Sequence, residues 1–117
     1  MQSSKTVLII GINGFIGHHL LQRILKDTSW NVIGVDIGDD RVAPYFGNPR
    51  FTFHKADMTK EPELIESLVK QSDVVLPLAA VATPQLYITE PLRVFELDFE
   101  ANLPIVRHCV KNKKRVI

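Results

Sequence analysis

The stretch Thr6-Val-Leu-Ile-Ile10-Gly11-Ile-Asn13-Gly14-Phe15-Ile16-Gly17 joins a continuous apolar run to three glycines spaced three residues apart. Val7 to Ile10 reads as a buried strand and the glycines as a tight turn. Phe15 to Lys26 reads as a helix, because Ile16, Leu20, Leu21, Ile24 and Leu25 recur at helical spacing. A strand, turn and helix in this order aim unsatisfied backbone N–H groups and the positive end of a helix dipole at one point above the sheet. A pyrophosphate suits that point. Glycine serves there because a Cβ in the turn would obstruct the ligand, and one facing the strand would obstruct helix packing. A second apolar run, Val32-Ile-Gly-Val35, closes on Asp36, nineteen residues after Gly17. The acid that binds an adenosine ribose stands about 20 residues beyond such a glycine motif. Triplet and acid together predict a dinucleotide site.

The rest of the chain continues the alternation. Asn31–Asp36 and Phe51–Lys55 read as strands, with a polar loop between them carrying a short helix near Arg41–Phe46 and ending in Gly47-Asn48-Pro49. A helix from about Glu61 to Gln71 presents Leu64, Ile65, Leu68 and Val69, with Pro62 in the tolerated first turn. Asp73–Leu78 is a fourth strand, and Ala79–Glu90 reads as a loop. One long helix is expected from Pro91 to Asn112, disturbed at Pro104, before a final strand from Lys114 to Ile117. Strands separated by helices of this length form a parallel sheet with right-handed crossovers. The fold class is therefore α/β, a Rossmann-like doubly wound parallel sheet with strand order 3-2-1-4-5 and a ligand at the switch point between strands one and four. The chain reads as one dinucleotide-binding domain, residues 1–117, ending at the start of strand five.

Composition narrows the partners. The 117 residues carry a formal net charge of +1, which predicts no attraction to nucleic acid or anionic membrane. The basic cluster Lys111, Lys113, Lys114 and Arg115 is read as complementing a helix C-terminus. A single cysteine, Cys109, excludes an internal disulfide and falls on an apolar helix face. No apolar run approaches the roughly 20 residues of a membrane span. Residues 1–5 lead straight into the first strand, so no signal peptide is expected and the location is read as cytoplasmic. Four histidines show no metal-ligand spacing; His18 and His19, being adjacent, are expected to diverge around their helix.

The glycine string Val7-Leu-Ile-Ile-Gly11-Ile-Asn-Gly14-Phe-Ile-Gly17 resembles the extended short-chain dehydrogenase/reductase superfamily, the NAD-dependent epimerases and dehydratases. Asp36, Ala56-Asp57-Met58 and Leu78-Ala79-Ala80 match it as well. Within that superfamily, Val74-Val-Leu-Pro-Leu-Ala-Ala-Val-Ala-Thr-Pro84, Tyr87 and Pro91-Leu-Arg-Val-Phe-Glu-Leu-Asp-Phe99 resemble the UDP-glucuronic acid decarboxylase domain of the bifunctional polymyxin-resistance enzymes. Pro77 stands where a histidine is common in the superfamily, and Asp98 where asparagine is common. Both departures agree with the decarboxylase domain.

The resemblance implies NAD as cofactor, held by Gly11, Asn13, Gly14, Phe15, Ile16, Gly17, Asp36, Ile37, Asp57, Met58, Leu78, Ala79 and Ala80. It implies that Asp57 meets the adenine edge and that Ala82 and Tyr87 lie toward a UDP-sugar, UDP-glucuronate being favoured. It further implies oxidative decarboxylation in the route to 4-amino-arabinose-modified lipid A, and a homo-oligomer at full length. Asp36 and the acidic Asp39 and Asp40 after it would repel a 2′-phosphate, so NAD is expected over NADP, with Arg41 facing solvent. The superfamily's catalytic Tyr-x-x-x-Lys pair is missing: Tyr45 and Tyr87 are followed four positions on by Pro49 and Pro91. The chain alone is expected to bind cofactor without turnover. The other readings are a nucleotide-sugar epimerase or dehydratase and a non-catalytic NAD-binding module.

Overall fold

The computed structural model describes residues 4–80 and 84–117. Five strands form one parallel sheet in the order β3-β2-β1-β4-β5: β1 Thr6–Ile10, β2 Asn31–Asp36, β3 Phe51–Lys55, β4 Val74–Pro77 and β5 Arg115–Val116. Helices α1 (Phe15–Asp27), α2 (Pro62–Lys70), α3 (Pro84–Thr89), α4 (Pro91–Asp98) and α5 (Leu103–Lys111) make the connections. The strand order and parallel sense are those expected from the alternation of elements.

The central strand is apolar throughout because both faces of the sheet are covered. Side chains alternate across a strand, so Leu8 and Ile10 join Ile33, Val35 and Val75 beneath α2 and α5, where Ile65, Leu68, Val69, Ile105 and Cys109 complete a core. Val7 and Ile9 face the other way, with Val32, Ile12 and Phe51 against Leu21 and Ile24 of α1. Cys109 is fully buried, and its thiol is raised above the ordinary range by that burial. Lys111, in the last turn of α5, reaches Glu66 of α2 at 3.4 Å and ties the two covering helices together.

Arg50 closes the opposite end of the sheet. Its guanidinium donates to the carbonyls of Leu25 (2.6 Å), Thr28 (2.7 Å) and Trp30 (2.9 Å), where α1 gives way to β2. Pro77 is tolerated in β4 for a geometric reason. Leu78 donates to Ile10 of β1 at 2.7 Å, so the imide one residue earlier faces the β5 side. The pairing with β5 ends at Val75↔Val116, short of Pro77.

Four local expectations are corrected. Part of the expected loop, Pro84–Thr89, is helix α3, started by a proline that suits a first helical turn. The expected long helix is broken: α4 ends at Asp98, a 3-10 turn spans Glu100–Asn102, and α5 starts at Leu103. The break precedes Pro104, whose ring sits in the first turn of α5 instead of kinking a longer helix. Ile16 is exposed, not part of the buried face of α1, which runs through Gly17, Leu21 and Ile24. His18 and His19 do not diverge; their ring centroids lie 4.0 Å apart, with Phe15 edge-on to His19 at 4.8 Å.

Candidate dinucleotide site

The carboxyl ends of β1, β2, β3 and β4 open into a cleft of about 780 Å³. Gly11, directly after β1, has φ +89, a conformation that other residues adopt only with strain. A Cβ there would lie 2.7 Å from the Ala79 nitrogen and 2.9 Å from the Leu78 carbonyl carbon. The first glycine therefore lets the turn seat against the chain leaving β4. Gly17 serves packing too: its Cβ would lie 2.6 Å from the Ile12 carbonyl oxygen and 2.7 Å from that of Gly11. Gly14 differs, since a Cβ would touch only the Gly11 oxygen, at 3.3 Å. Of the three, Gly11 and Gly14 line the cleft.

Helix α1 begins after Gly14 with no side-chain cap and no acidic residue in its first turn. Its first intrahelical bond runs from the His18 N–H to the Gly14 carbonyl at 3.0 Å. The N–H groups of Phe15, Ile16 and Gly17 thus have no intrahelical acceptor. None of these three residues lines the cleft; their N–H groups stand at the positive end of the helix dipole, next to Gly14, which does line it. That arrangement suits an anion.

Asp36 ends β2 at the cleft wall. Its Oδ1 accepts from the N–H groups of Ile37 (2.7 Å) and Gly38 (3.4 Å), and its Oδ2 accepts from the Asn13 N–H at 2.8 Å. Three backbone donors fix the carboxylate, two of them on Oδ1, so that Oδ2 keeps acceptor capacity for a further hydroxyl. Asn13 also uses its side chain: Nδ2 donates to Asp40 Oδ1 at 2.6 Å, and Oδ1 accepts from the N–H groups of Arg41 (2.8 Å) and Val42 (3.2 Å). The Asn13 amide holds the Asp40 carboxyl below the usual carboxylate range.

Asp57 and Met58 line the cleft beyond β3, and Leu78, Ala79 and Ala80 line it beyond β4, as Ile37 does beyond β2. Asp57 is shaped by its neighbour Thr59, whose hydroxyl and N–H donate to Oδ1 at 2.6 and 2.9 Å and lower its carboxyl from the ordinary 3.8. Tyr87, on α3, is half exposed and does not line the cleft. Ala82 lies outside the described residues.

The far wall escapes a reading based on strand ends. Arg93, Glu96 and Leu97 of α4, followed by Glu100 and Ala101, close the cleft. Their spacing, i, i+3, i+4, i+7 and i+8, is that of one helix face and was available in the sequence. Asn102 anchors this wall by donating from Nδ2 to the carbonyls of Ala79 (3.3 Å), Leu97 (3.1 Å) and Asp98 (3.2 Å).

The profile of the NAD dependent epimerase/dehydratase family matches residues 7–117. Among solved structures, the chain is similar to the PbgP3 protein from Burkholderia pseudomallei, at 54% identity and a TM-score of 0.94, over 97% of this chain and 38% of that one. It is also similar to a UDP-N-acetylglucosamine 4-epimerase from Methanobrevibacter ruminantium M1, solved with UDP-N-acetylmuramic acid. There the identity is 26% and the TM-score 0.83, over 98% of this chain and 37% of that one. A third similarity is to the Bordetella bronchiseptica enzyme WbmF in complex with NAD+ and UDP, at 26% identity and a TM-score of 0.80, over 97% and 34% of the two chains. The chain spans less than two fifths of the length of each.

Proposed function

The chain belongs to the NAD dependent epimerase/dehydratase family, and on that premise we propose that it is the cofactor-binding part of an enzyme that oxidatively decarboxylates UDP-glucuronate. NAD is the cofactor of the family, and the residues present fit it. The open side of Gly14 and the uncapped N–H groups of Phe15, Ile16 and Gly17 suit the pyrophosphate. Asp36 is placed to accept hydrogen bonds from the ribose hydroxyls. Asp57 and Met58 flank the adenine end, and the small Ala79 and Ala80 let the dinucleotide approach the backbone after β4.

When bound, NAD+ supplies a hydride acceptor, and oxidation of a uronic sugar at C4 leaves a ketone β to the carboxylate that departs as carbon dioxide. The chain's own part is to orient and enclose. The carboxylate of Asp36 fixes one end of the dinucleotide, the α1 terminus fixes its middle, and the α4 wall limits water on the side facing Arg93 and Leu97. Proton transfer is assigned to a Tyr-x-x-x-Lys pair, which these 117 residues do not contain.

One observation carries the finer reading: the Pro77–Phe99 segment, with Pro77 and Asp98 as in the decarboxylase domain, contributes both Leu78–Ala80 and the α4 face to the cleft. The similarity to a UDP-N-acetylglucosamine 4-epimerase favours epimerisation as the second reading. Turnover of UDP-glucuronate and NAD+ by the full-length protein separates them. A 4-keto nucleotide sugar lighter by carbon dioxide and two hydrogens is expected, with NADH formed alongside it, whereas a C4 epimer of unchanged mass would establish the epimerase. Equal affinity for NAD+ and NADP+ would overturn the role given to Asp36.

A further inference from the structure

We propose that Asn13 is a specificity-determining positioning residue, which hangs two carboxylates, Asp36 and Asp40, on one side chain and backbone and so bars a dinucleotide bearing a 2′-phosphate. The inference rests on the reading of Asp36 as the ribose acid and is independent of which sugar is processed.

Asn13 is the only residue of the glycine turn with a side chain able to both donate and accept. All of its polar groups except the carbonyl are engaged across the cleft edge. The N–H holds Asp36 Oδ2, Nδ2 holds Asp40 Oδ1, and Oδ1 takes the N–H groups of Arg41 and Val42. The loop after β2 is thereby fastened to the turn after β1 at positions 36, 40, 41 and 42. Val42, fully buried, anchors the same loop in the core. Gly38 packs close beneath the clamp, since a Cβ there would lie 3.2 Å from Asn13 Nδ2.

The charges of this loop make the fastening matter. Its acids are Asp36, Asp39 and Asp40; its nearby cations are Arg41, with an exposed side chain, and Lys55, 3.9 Å from Asp39. With Asn13 in place, Asp36 and Asp40 are both held to the residue that lines the ribose end of the cleft. The Arg41 backbone is pinned, so its guanidinium cannot be carried inward by a rearranged loop. A 2′-phosphate entering here meets the fixed carboxylate of Asp36 in the cleft wall, with the charge of Asp40 held on the other side of Asn13. Without the Asn13 amide, Asp40 is released and the Arg41 and Val42 N–H groups lose their acceptor, so the loop is free to turn a cation toward the phosphate.

The test is calorimetric titration of the full-length protein with NAD+ and with NADP+, as wild type, Asn13→Ala and Asp40→Asn. Wild type should prefer NAD+. Asn13→Ala should bring the ratio of the two dissociation constants toward unity by about tenfold, the scale set by losing a hydrogen bond to a charged group. Asp40→Asn, at an exposed position that keeps the fold, should shift the ratio the same way by a smaller factor. Equal weakening of both dinucleotides, or an unchanged ratio in both variants, would reduce Asn13 to a structural tie and overturn the inference alone. A wild type without preference would overturn it together with the role of Asp36.

Discussion

Gly11 and Ala79 are packed backbone to backbone: a Cβ on Gly11 would fall 2.7 Å from the Ala79 nitrogen, joining the turn after β1 to the chain leaving β4. Gly11→Ala therefore meets two penalties, the φ of +89 and an immovable main chain. Left-handed strain and overpacking together amount to something on the order of 3 kcal/mol. Denaturant unfolding should show a midpoint lowered accordingly, and a midpoint within error of wild type would show that the turn is looser than described.

The three glycines should separate by phenotype. Gly17→Ala places a Cβ 2.6 Å from the Ile12 oxygen and should destabilise the fold. Gly14→Ala meets only the Gly11 oxygen at 3.3 Å and should cost less than about 1 kcal/mol. Gly14→Val, with branches projecting into the cleft, should weaken NAD+ by at least about tenfold while the protein stays folded. Paired melting and titration experiments check this, and parallel losses of stability in all three would refute it.

Arg50 offers a stability test remote from the cleft. Its fork satisfies the carbonyls of Leu25, Thr28 and Trp30, which an ammonium cannot reach together. Arg50→Met should cost about 2–3 kcal/mol through part-buried carbonyls left without donors. Arg50→Lys should recover less than half of that. NAD+ affinity should be unchanged in both, because Arg50 lies at the amino end of β3 and the cleft at the carboxyl end.

Asp57 predicts a pH response with a definite sign. Its carboxyl is lowered from 3.8 by the Thr59 hydroxyl and then the Thr59 N–H. A group lowered in the folded state contributes stability that is present above its unfolded value and lost as pH falls through the folded one. The loop after β3 should therefore loosen only below about pH 4. Thr59→Val should return the Asp57 titration, followed by carboxyl NMR, toward its ordinary value; an unmoved titration would assign the effect elsewhere.

Cys109 should be inert in the folded protein. Burial raises its thiol and excludes reagent, so labelling by a thiol-reactive dye should follow opening of the fold and accelerate in denaturant. Rapid stoichiometric labelling under native conditions would contradict its place in the core.

Most of the frame was legible because it depends on local signals. Three strands, Thr6–Ile10, Asn31–Asp36 and Phe51–Lys55, have the bounds expected from the sequence; the first two are apolar inside because both faces of the sheet are covered there, whereas the edge strand Phe51-Thr-Phe-His-Lys55 is only partly buried. Helix breaks were harder. Nothing periodic distinguishes Asp98 from Leu103, and at the interruption Asn102 bonds to Ala79, far away in sequence on the chain leaving β4. Gly34 shows the same limit. It sits inside the apolar run Val32–Val35, and its missing Cβ is the space taken by Ile12, whose Cδ1 would lie 2.6 Å away.

By itself the sequence determined the sheet, its order and the presence of a dinucleotide site, because periodicity, glycine spacing and a carboxylate at the end of a strand are chain-local properties. Tertiary structure decided how the parts of that site are placed. It assigned Gly11 and Gly17 to packing and left Gly14 open to the cleft, placed the α4 face as the far wall, and made Asn13 a tie between two loops. The reason is physical. Steric clearance and hydrogen-bond partnership across 23 to 68 positions, from Asn13 to Asp36 and from Gly11 to Ala79, exist only once the strands lie side by side.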